Sequence, residues 1–141
     1  MRIFLDANIL VSVLNKEYPL FSNTARIVSL ADNKKFTVLT SPICLAIAFY
    51  FAEKKSGTPL AKKKIEILFN KLSITDIGKK EVLQSLQNKK VNDFEDGLEY
   101  YAAINSSCDV IITEEISDFY FSSIPVFNSK AFIEKHLLLR N

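Results

Sequence analysis

Five short apolar runs alternate along this chain with longer stretches whose apolar residues recur at helical spacing. The runs lie at residues 3–5, 36–39, 72–74, 109–113 and 124–127. Runs of this length are typical of buried strands, and the proline in the last one suits a sheet edge. Strands alternating with helices over the whole length predict an α/β sandwich with a mostly parallel sheet. No repeat, linker or low-complexity stretch divides the sequence, so residues 1–141 are expected to form one domain.

The stretches between these runs predict seven helices, at about 9–14, 19–33, 43–52, 59–71, 76–86, 92–105 and 128–138. The helix at 43–52 is apolar almost all round, which predicts a helix buried against the sheet. In the two helices that follow it, the apolar side chains expected to face inward are Ile65, Ile67, Leu68 and Phe69 in the first, and Val82, Leu83 and Leu86 in the second.

The composition is that of a soluble globular protein, with 48% hydrophobic and 24% charged residues. No apolar run reaches the ~18 residues of a membrane span, and an acid at position 6 comes too early for a signal peptide. Cys44 and Cys108 stand in apolar surroundings, without the Cys/His spacing of a metal site. They predict buried free thiols in a reducing cytoplasm.

Positive charge is concentrated in the middle of the chain, although the whole chain carries only +2. Residues 53–90 contain ten lysines and four acids, a net charge of +6. Lysines in this arrangement can follow a phosphate backbone, as in nucleic-acid binding. Such lysines more often belong to solvated helix faces, and the sequence leaves both interpretations open.

Asp6 directly follows the first predicted strand and precedes the first predicted helix. In an open α/β sheet, ligands bind at this edge, outside the carboxyl ends of the strands. A residue such as Asp6 or Asn8 in this place can instead cap the helix by accepting its free N–H groups. Both roles remain open from this stretch alone.

Two further acids are predicted at comparable positions. Asp93 and Asp96 open the helix at 92–105, where the helix dipole favours ionised carboxylates and the spacing of three puts both on one face. A capping box formed by the two residues is the alternative. Asp118 lies in the loop after the strand at 109–113, on the same edge of the sheet as Asp6, unless it is an ordinary solvated loop acid.

Three carboxylates that converge on one edge of a sheet repel each other unless a cation lies between them. Oxygen ligands of this kind select Mg²⁺ or Mn²⁺, which can polarise a phosphodiester and supply a hydroxide. The chain has a single histidine, His136, in the last turn of the final predicted helix. Catalytic triads that depend on histidine are therefore improbable.

Three motifs of this sequence resemble those of PIN domains, the fold of VapC-type toxin ribonucleases. They occur in the same order and spacing as in that family, at residues 5–10 (LDANIL), 96–103 (DGLEYYAA) and 109–113 (DVIIT) followed by 118–119 (DF). The resemblance implies a three-layer α/β/α sandwich with strand order 3-2-1-4-5. It also implies a metal-dependent endoribonuclease that acts on RNA, a cognate antitoxin protein and a homodimer. Carried over residue by residue, it gives the metal ligands as Asp6, Asp96 and Asp118, with further pocket residues at Asn8, Asp93 and Thr113.

The sequence departs from the PIN pattern in two places. The family usually has a glutamate about six residues after the serine of its "S-P" pair, at a position that falls near Ala46 or Ile47 here. Glu53 is the first acid in that helix and is predicted to lie almost two turns too far along it. An acidic pair, Glu114 and Glu115, replaces the usual Arg-Asn. The alternative function is therefore a catalytically weakened PIN-fold module that acts by binding RNA or protein.

Overall fold

The structure is a computed structural model, and it describes residues 1–138. Five strands form one parallel sheet in the order β3-β2-β1-β4-β5. The strands are β1 Arg2–Leu5, β2 Thr37–Thr40, β3 Ser73–Ile74, β4 Val110–Ile112 and β5 Val126–Phe127. The predicted fold class and strand order are both confirmed, and the proline-containing run is indeed an edge strand.

Within residues 1–138, seven α-helices connect the strands and follow the last one. They are α1 Ala7–Leu14, α2 Phe21–Val28, α3 Pro42–Ser56, α4 Thr58–Lys71, α5 Lys79–Gln87, α6 Phe94–Asn105 and α7 Ser129–Ile133. Short 3₁₀ turns occur at Ser29–Asp32 and Ile116–Phe119, and a π-helical turn follows α7 at Glu134–Leu138. Among residues 1–138, none of these helices is both long enough and apolar enough to cross a membrane.

The central strand β1 is buried on both faces. Its residues Ile3, Phe4 and Leu5 have no exposed surface, as expected for a parallel strand covered by helices on either side. The chain leaves β1 at Asp6, whose N–H donates to the carbonyl of Ile112 at 3.0 Å. This pairing aligns the ends of β1 and β4, so the residues that follow the two strands lie side by side.

The predicted burial of α3 was wrong. Its fully buried residues are small and occur every fourth position, at Cys44, Ala48 and Ala52, whereas Tyr50 and Phe51 are about half exposed. Small residues at this spacing let α3 approach α1 and α4 closely. The helix is therefore buried along one narrow stripe, and Tyr50 and Phe51 remain partly exposed.

The inward orientation predicted for the next two helices is confirmed for Leu68, which is buried, and for Ile65, which packs against the core, but it was wrong for four other residues. Ile67 and Phe69 of α4, and Leu83 and Leu86 of α5, are all more than half exposed. The helix α4 packs mainly against α3, and α5 mainly against α6, so each of these helices buries only a narrow stripe. The prediction that Cys44 and Cys108 are buried free thiols is confirmed.

Candidate active site

Asp6 caps α1 and also lines a cavity at the carboxyl ends of the strands. Its Oδ1 accepts a hydrogen bond from the N–H of Ala7 at 2.7 Å, and its Oδ2 accepts one from the hydroxyl of Thr113 at 2.8 Å. The side chain is almost completely buried, yet it forms part of the cavity wall. The two roles considered for this residue are therefore compatible.

Asn8 and Thr113 form a hydrogen-bond network behind Asp6. The Thr113 hydroxyl oxygen accepts from the Asn8 amide at 3.0 Å and from the N–H of Glu115 at 3.1 Å. Its own proton is therefore directed at Asp6. Asn8 also accepts from the N–H of Glu114 at 3.1 Å, which ties the start of α1 to the loop after β4. The network fixes the Asp6 carboxylate in one orientation.

The cavity has a volume of about 300 Å³ and brings together the three predicted catalytic acids. Asp6 comes from the end of β1, Asp96 from the first turn of α6 and Asp118 from the 3₁₀ turn after β4. Asn8 also lines the cavity, whereas Thr113 lies behind Asp6. The remaining lining residues are Ala7, Val11, Glu17, Ile47, Phe51, Glu95 and Glu99.

Asp93 lies outside the cavity lining and caps α6. Its Oδ1 accepts from the N–H of Asp96 at 3.2 Å, and the side chain is exposed. The Asp96 carboxylate does not return the bond but lines the cavity instead. Asp93 is therefore a helix cap, and its negative charge also raises the pKa of Asp96.

The acids of the cavity create a strong negative field. Partial burial, followed by the charges of Asp93, Asp118, Asp6 and Glu95, raises the pKa of Asp96 from 3.8 to about 7. A carboxyl whose pKa is raised by several neighbouring acids lies at a place that favours a cation.

Glu99 is a site residue that the sequence analysis did not identify. Its side chain is 1% exposed, and a carboxylate oxygen of Glu99, one of Asp6 and the sulfur of Cys44 all lie within 4.8 Å of one another. Burial and the adjoining Asp6 raise the pKa of Glu99 to about 10. The signal in the sequence was an acid three residues after Asp96, within an otherwise apolar stretch of α6.

Cys44 stands beside the acids as a neutral thiol. Burial, followed by the charges of Glu99 and Asp6, raises its pKa well above the usual value. Its Sγ lies 3.9 Å from Oδ1 of Asp6, to which the thiol can donate. Because Mg²⁺ and Mn²⁺ prefer carboxylate oxygen to thiol sulfur, the acids rather than Cys44 are the ligands that this site offers.

Ile47 occupies the cavity wall that α3 contributes, together with Phe51. Ala46 is exposed and points away, so Ile47 is the position at which α3 would present an acid to the site. Glu53 accepts instead from the Thr58 hydroxyl at 2.7 Å and does not line the cavity. The expectation that Glu53 lies too far along α3 is confirmed.

The donor set fits a divalent cation that prefers oxygen. Within residues 1–138, the one ion pair closer than 4 Å joins Lys71 to Asp32, so no basic side chain neutralises the acids of the cavity. Unpaired carboxylates are costly to bury, and Mg²⁺ or Mn²⁺ bound through a few of them would remove that cost.

Comparisons with known proteins agree with this geometry. The profile of the PIN domain family matches residues 2–117. The chain is 27% identical over 142 residues to ribonuclease VapC1 of Aquifex aeolicus (strain VF5), an alignment that covers 95% of this chain and 94% of that protein.

Solved structures with a similar fold include two described as VapBC and one described as VapC20. A chain of the Rickettsia felis VapBC2 complex, bound to a DNA fragment of its promoter, matches with a TM-score of 0.69 and 24% identity over 91% of this chain and 98% of that one. A chain of VapBC-1 from nontypeable Haemophilus influenzae matches with a TM-score of 0.66 and 16% identity, over 92% of this chain and 99% of that one. VapC20 of Mycobacterium tuberculosis, a toxin that cleaves the sarcin-ricin loop, matches with a TM-score of 0.61 and 14% identity, over 77% of this chain and 86% of that one. From the family profile, the strand order and the acid-lined cavity together, we conclude that the chain belongs to the PIN-domain family.

Proposed function

We propose that this protein is a metal-dependent endoribonuclease and the toxin component of a toxin–antitoxin pair. The observation that carries the proposal is the meeting of Asp6, Asp96 and Asp118 in one cavity at the carboxyl end of the sheet. The similarity to ribonuclease VapC1 and to chains of VapBC complexes supports it. Two buried free thiols support a reducing compartment, the cytoplasm, as its location.

Asp6, Asp96 and Asp118 would hold Mg²⁺ or Mn²⁺. When bound, such an ion supplies positive charge for a phosphodiester oxygen and makes water a better nucleophile at neutral pH. The protein's part is to hold the carboxylates in place. Thr113 and the N–H of Ala7 orient Asp6, while the first turn of α6 positions Asp96.

Lysines of the segment 53–90 are proposed to hold an RNA backbone near the cavity. Lys55 donates to the carbonyl of Asn15, whose amide contacts the carbonyl of the cavity residue Phe51. Tyr120 lies two residues after Asp118, and its hydroxyl donates to the backbone carbonyl of Lys90. Phosphate contacts from such lysines would give affinity for RNA that falls as salt rises.

A cognate antitoxin and a homodimer are further parts of the proposal. The VapBC complexes support a protein partner, and so do the apolar side chains that α3 and α4 expose, Tyr50, Ile67 and Phe69. Co-expression with a small protein encoded next to this chain tests the first, with a stable complex expected. Light scattering of the purified protein tests the second, and a monomer at micromolar concentration would contradict it.

The test of the nuclease is RNA cleavage in Mn²⁺ by the wild type and by Asp6→Asn. Removing one charge from the group of acids should lower the rate by about a hundredfold or more. Glu66→Gln, which removes one exposed acid from α4, is the matched control and should cleave like the wild type. Equal cleavage by the wild type and Asp6→Asn would refute the assignment.

The second candidate is a catalytically weakened PIN-fold module that acts by binding RNA or protein. Ile47 in the cavity wall, where the family usually has an acid, favours it. Calorimetric titration with Mn²⁺ separates the two candidates. Sub-millimolar binding that Asp96→Asn abolishes supports the nuclease, whereas no binding up to several millimolar supports the module.

A further inference from the structure

The helix α6 brings a second carboxylate into the cavity, one turn below Asp96. Glu99 follows Asp96 by three residues, so the two lie on the same face, roughly 4.5 Å apart along the helix axis. Asp96 is partly exposed at the mouth of the cavity, whereas Glu99 is fully buried at its floor. A single helix thus presents acids at two depths of the same cavity.

At the floor, Glu99 and Asp6 form a close pair of acids. Their carboxylate oxygens lie within 4.8 Å of each other. In the part of the chain that the structure describes, no lysine or arginine nitrogen comes within 4 Å of either group. A buried acid with no base beside it either keeps its proton or is bound to a metal, whose positive charge takes the place of the proton. The remaining buried residues of α6 are apolar or glycine, so packing alone gives no reason for an acid at this position.

The part of the cavity wall that α3 forms contains no acid. Ile47 and Phe51 are the residues of α3 that line the cavity, and neither side chain has a ligand atom. Ile47 and Glu99 line the same space from different helices. A carboxylate is therefore missing from α3 and present on α6.

We infer that Glu99 is a fourth carboxylate ligand of the divalent-ion site and takes the part of the acid that α3 lacks at Ile47. The inference rests on the proposed function, since it assumes that Asp6, Asp96 and Asp118 hold an ion. It assigns Glu99 to the ion rather than to the packing of α6. Asp6 and Glu99 then bind from the floor of the cavity, and Asp96 and Asp118 from its mouth.

Titration calorimetry with Mn²⁺ on Glu99→Gln tests this inference. Glutamine keeps the shape of the side chain but cannot ionise, so it cannot supply the negative charge of a carboxylate ligand. The dissociation constant for Mn²⁺ should rise by roughly tenfold or more, as for the loss of a group that supports a metal site. Glu66→Gln, with the same chemical change on an exposed face of α4, should bind Mn²⁺ like the wild type.

A swap of the acid between helices gives an independent measurement. In the double variant Ile47→Glu/Glu99→Gln, the carboxylate returns to α3, and Mn²⁺ should bind more tightly than in Glu99→Gln alone. If Glu99→Gln does not fold, Glu99→Asp replaces it. Aspartate keeps the charge but withdraws the carboxylate by one methylene group, and Mn²⁺ affinity should still fall several-fold.

The outcomes separate this inference from the proposed function. If Asp6→Asn abolishes Mn²⁺ binding but Glu99→Gln or Glu99→Asp binds Mn²⁺ within a factor of two of the wild type, only the role of Glu99 is overturned. If the double variant binds Mn²⁺ no more tightly than Glu99→Gln, the inference that Glu99 replaces an acid at position 47 is overturned. A wild type that binds no Mn²⁺ overturns both the proposed function and this inference.

Discussion

The acids around Asp96 should make the metal-free protein less stable as the pH rises. Asp6, Asp93 and Asp118 all act on this carboxyl, and their charges together with burial raise its pKa from 3.8 to about 7. No hydrogen bond to the Asp96 carboxylate is formed by residues 1–138, so Asp96→Asn removes the charge without removing a bond. Asp6→Asn would be a poorer choice, because Asp6 also caps α1.

The sign and size of the effect follow from the two pKa values. Below the unfolded value of 3.8, Asp96 is neutral in both states, and the variant should match the wild type. As the pH climbs through the folded value of about 7, ionisation costs the folded state progressively more. A pKa difference of one corresponds to about 1.4 kcal/mol, which sets a ceiling of about 4 kcal/mol. Since Asp96 keeps contact with solvent, screening reduces the expected cost to about 1–2 kcal/mol.

The assay is urea or thermal unfolding in chelator between pH 4 and pH 8. At pH 8, Asp96→Asn should be about 1–2 kcal/mol more stable than the wild type, a rise of several degrees in melting temperature. Mn²⁺ at a hundredfold excess over its dissociation constant should stabilise the wild type by about 2.7 kcal/mol and the variant much less. Glu66→Gln should show neither effect.

The opposite result at pH 8 would refute this reasoning. If Asp96→Asn were less stable than the wild type in chelator, the helix dipole would be stabilising the Asp96 carboxylate more than its neighbours repel it. The acids of the cavity would then not form an electrostatically strained group.

Three further substitutions test the surroundings of the site. Thr113→Val removes the hydrogen bond to Asp6 and should lower the free energy of unfolding by about 1–3 kcal/mol in urea titration, whereas Thr113→Ser should keep most of it. Gly97→Ala places a Cβ 2.8 Å from Cγ1 of Val91, so it should cost about 1–3 kcal/mol in the same assay despite the helix preference of alanine. Cys44→Ala should leave Mn²⁺ affinity within a factor of two by calorimetry, because the buried thiol keeps its proton at neutral pH; a large loss would identify a thiolate ligand.

Local signals in the sequence were sufficient for the fold and for most of the site. The apolar runs that became β1 and β4 are short and buried on both faces, so they could be recognised without knowledge of their partners. The carboxyl ends of parallel strands share one edge of a sheet, so Asp6 and Asp118 could be expected together. Asp96 could be placed because it opens a helix that begins at the same edge.

Periodicity could not decide which apolar side chains of α3, α4 and α5 are buried. Ile67, Phe69 and Leu86 fit a helical stripe in the sequence but lie outside the core. Burial depends on which helix packs against which, and these helices meet through small residues such as Ala48 and Ala61, which have no exposed surface. That choice is a property of the assembled domain.

By itself, the sequence determined the parallel α/β fold, the strand order through its likeness to PIN domains, and the acids expected at the strand ends. The tertiary structure alone decided that Asp93 remains a helix cap, that Ile47 closes the wall of the cavity, and that Glu99 joins Asp6 at the floor. The physical reason is distance. Capping and strand formation depend on neighbours within a few residues, whereas the contact between Glu99 and Asp6 joins positions 93 residues apart, and only the packing of α6 against the sheet creates it.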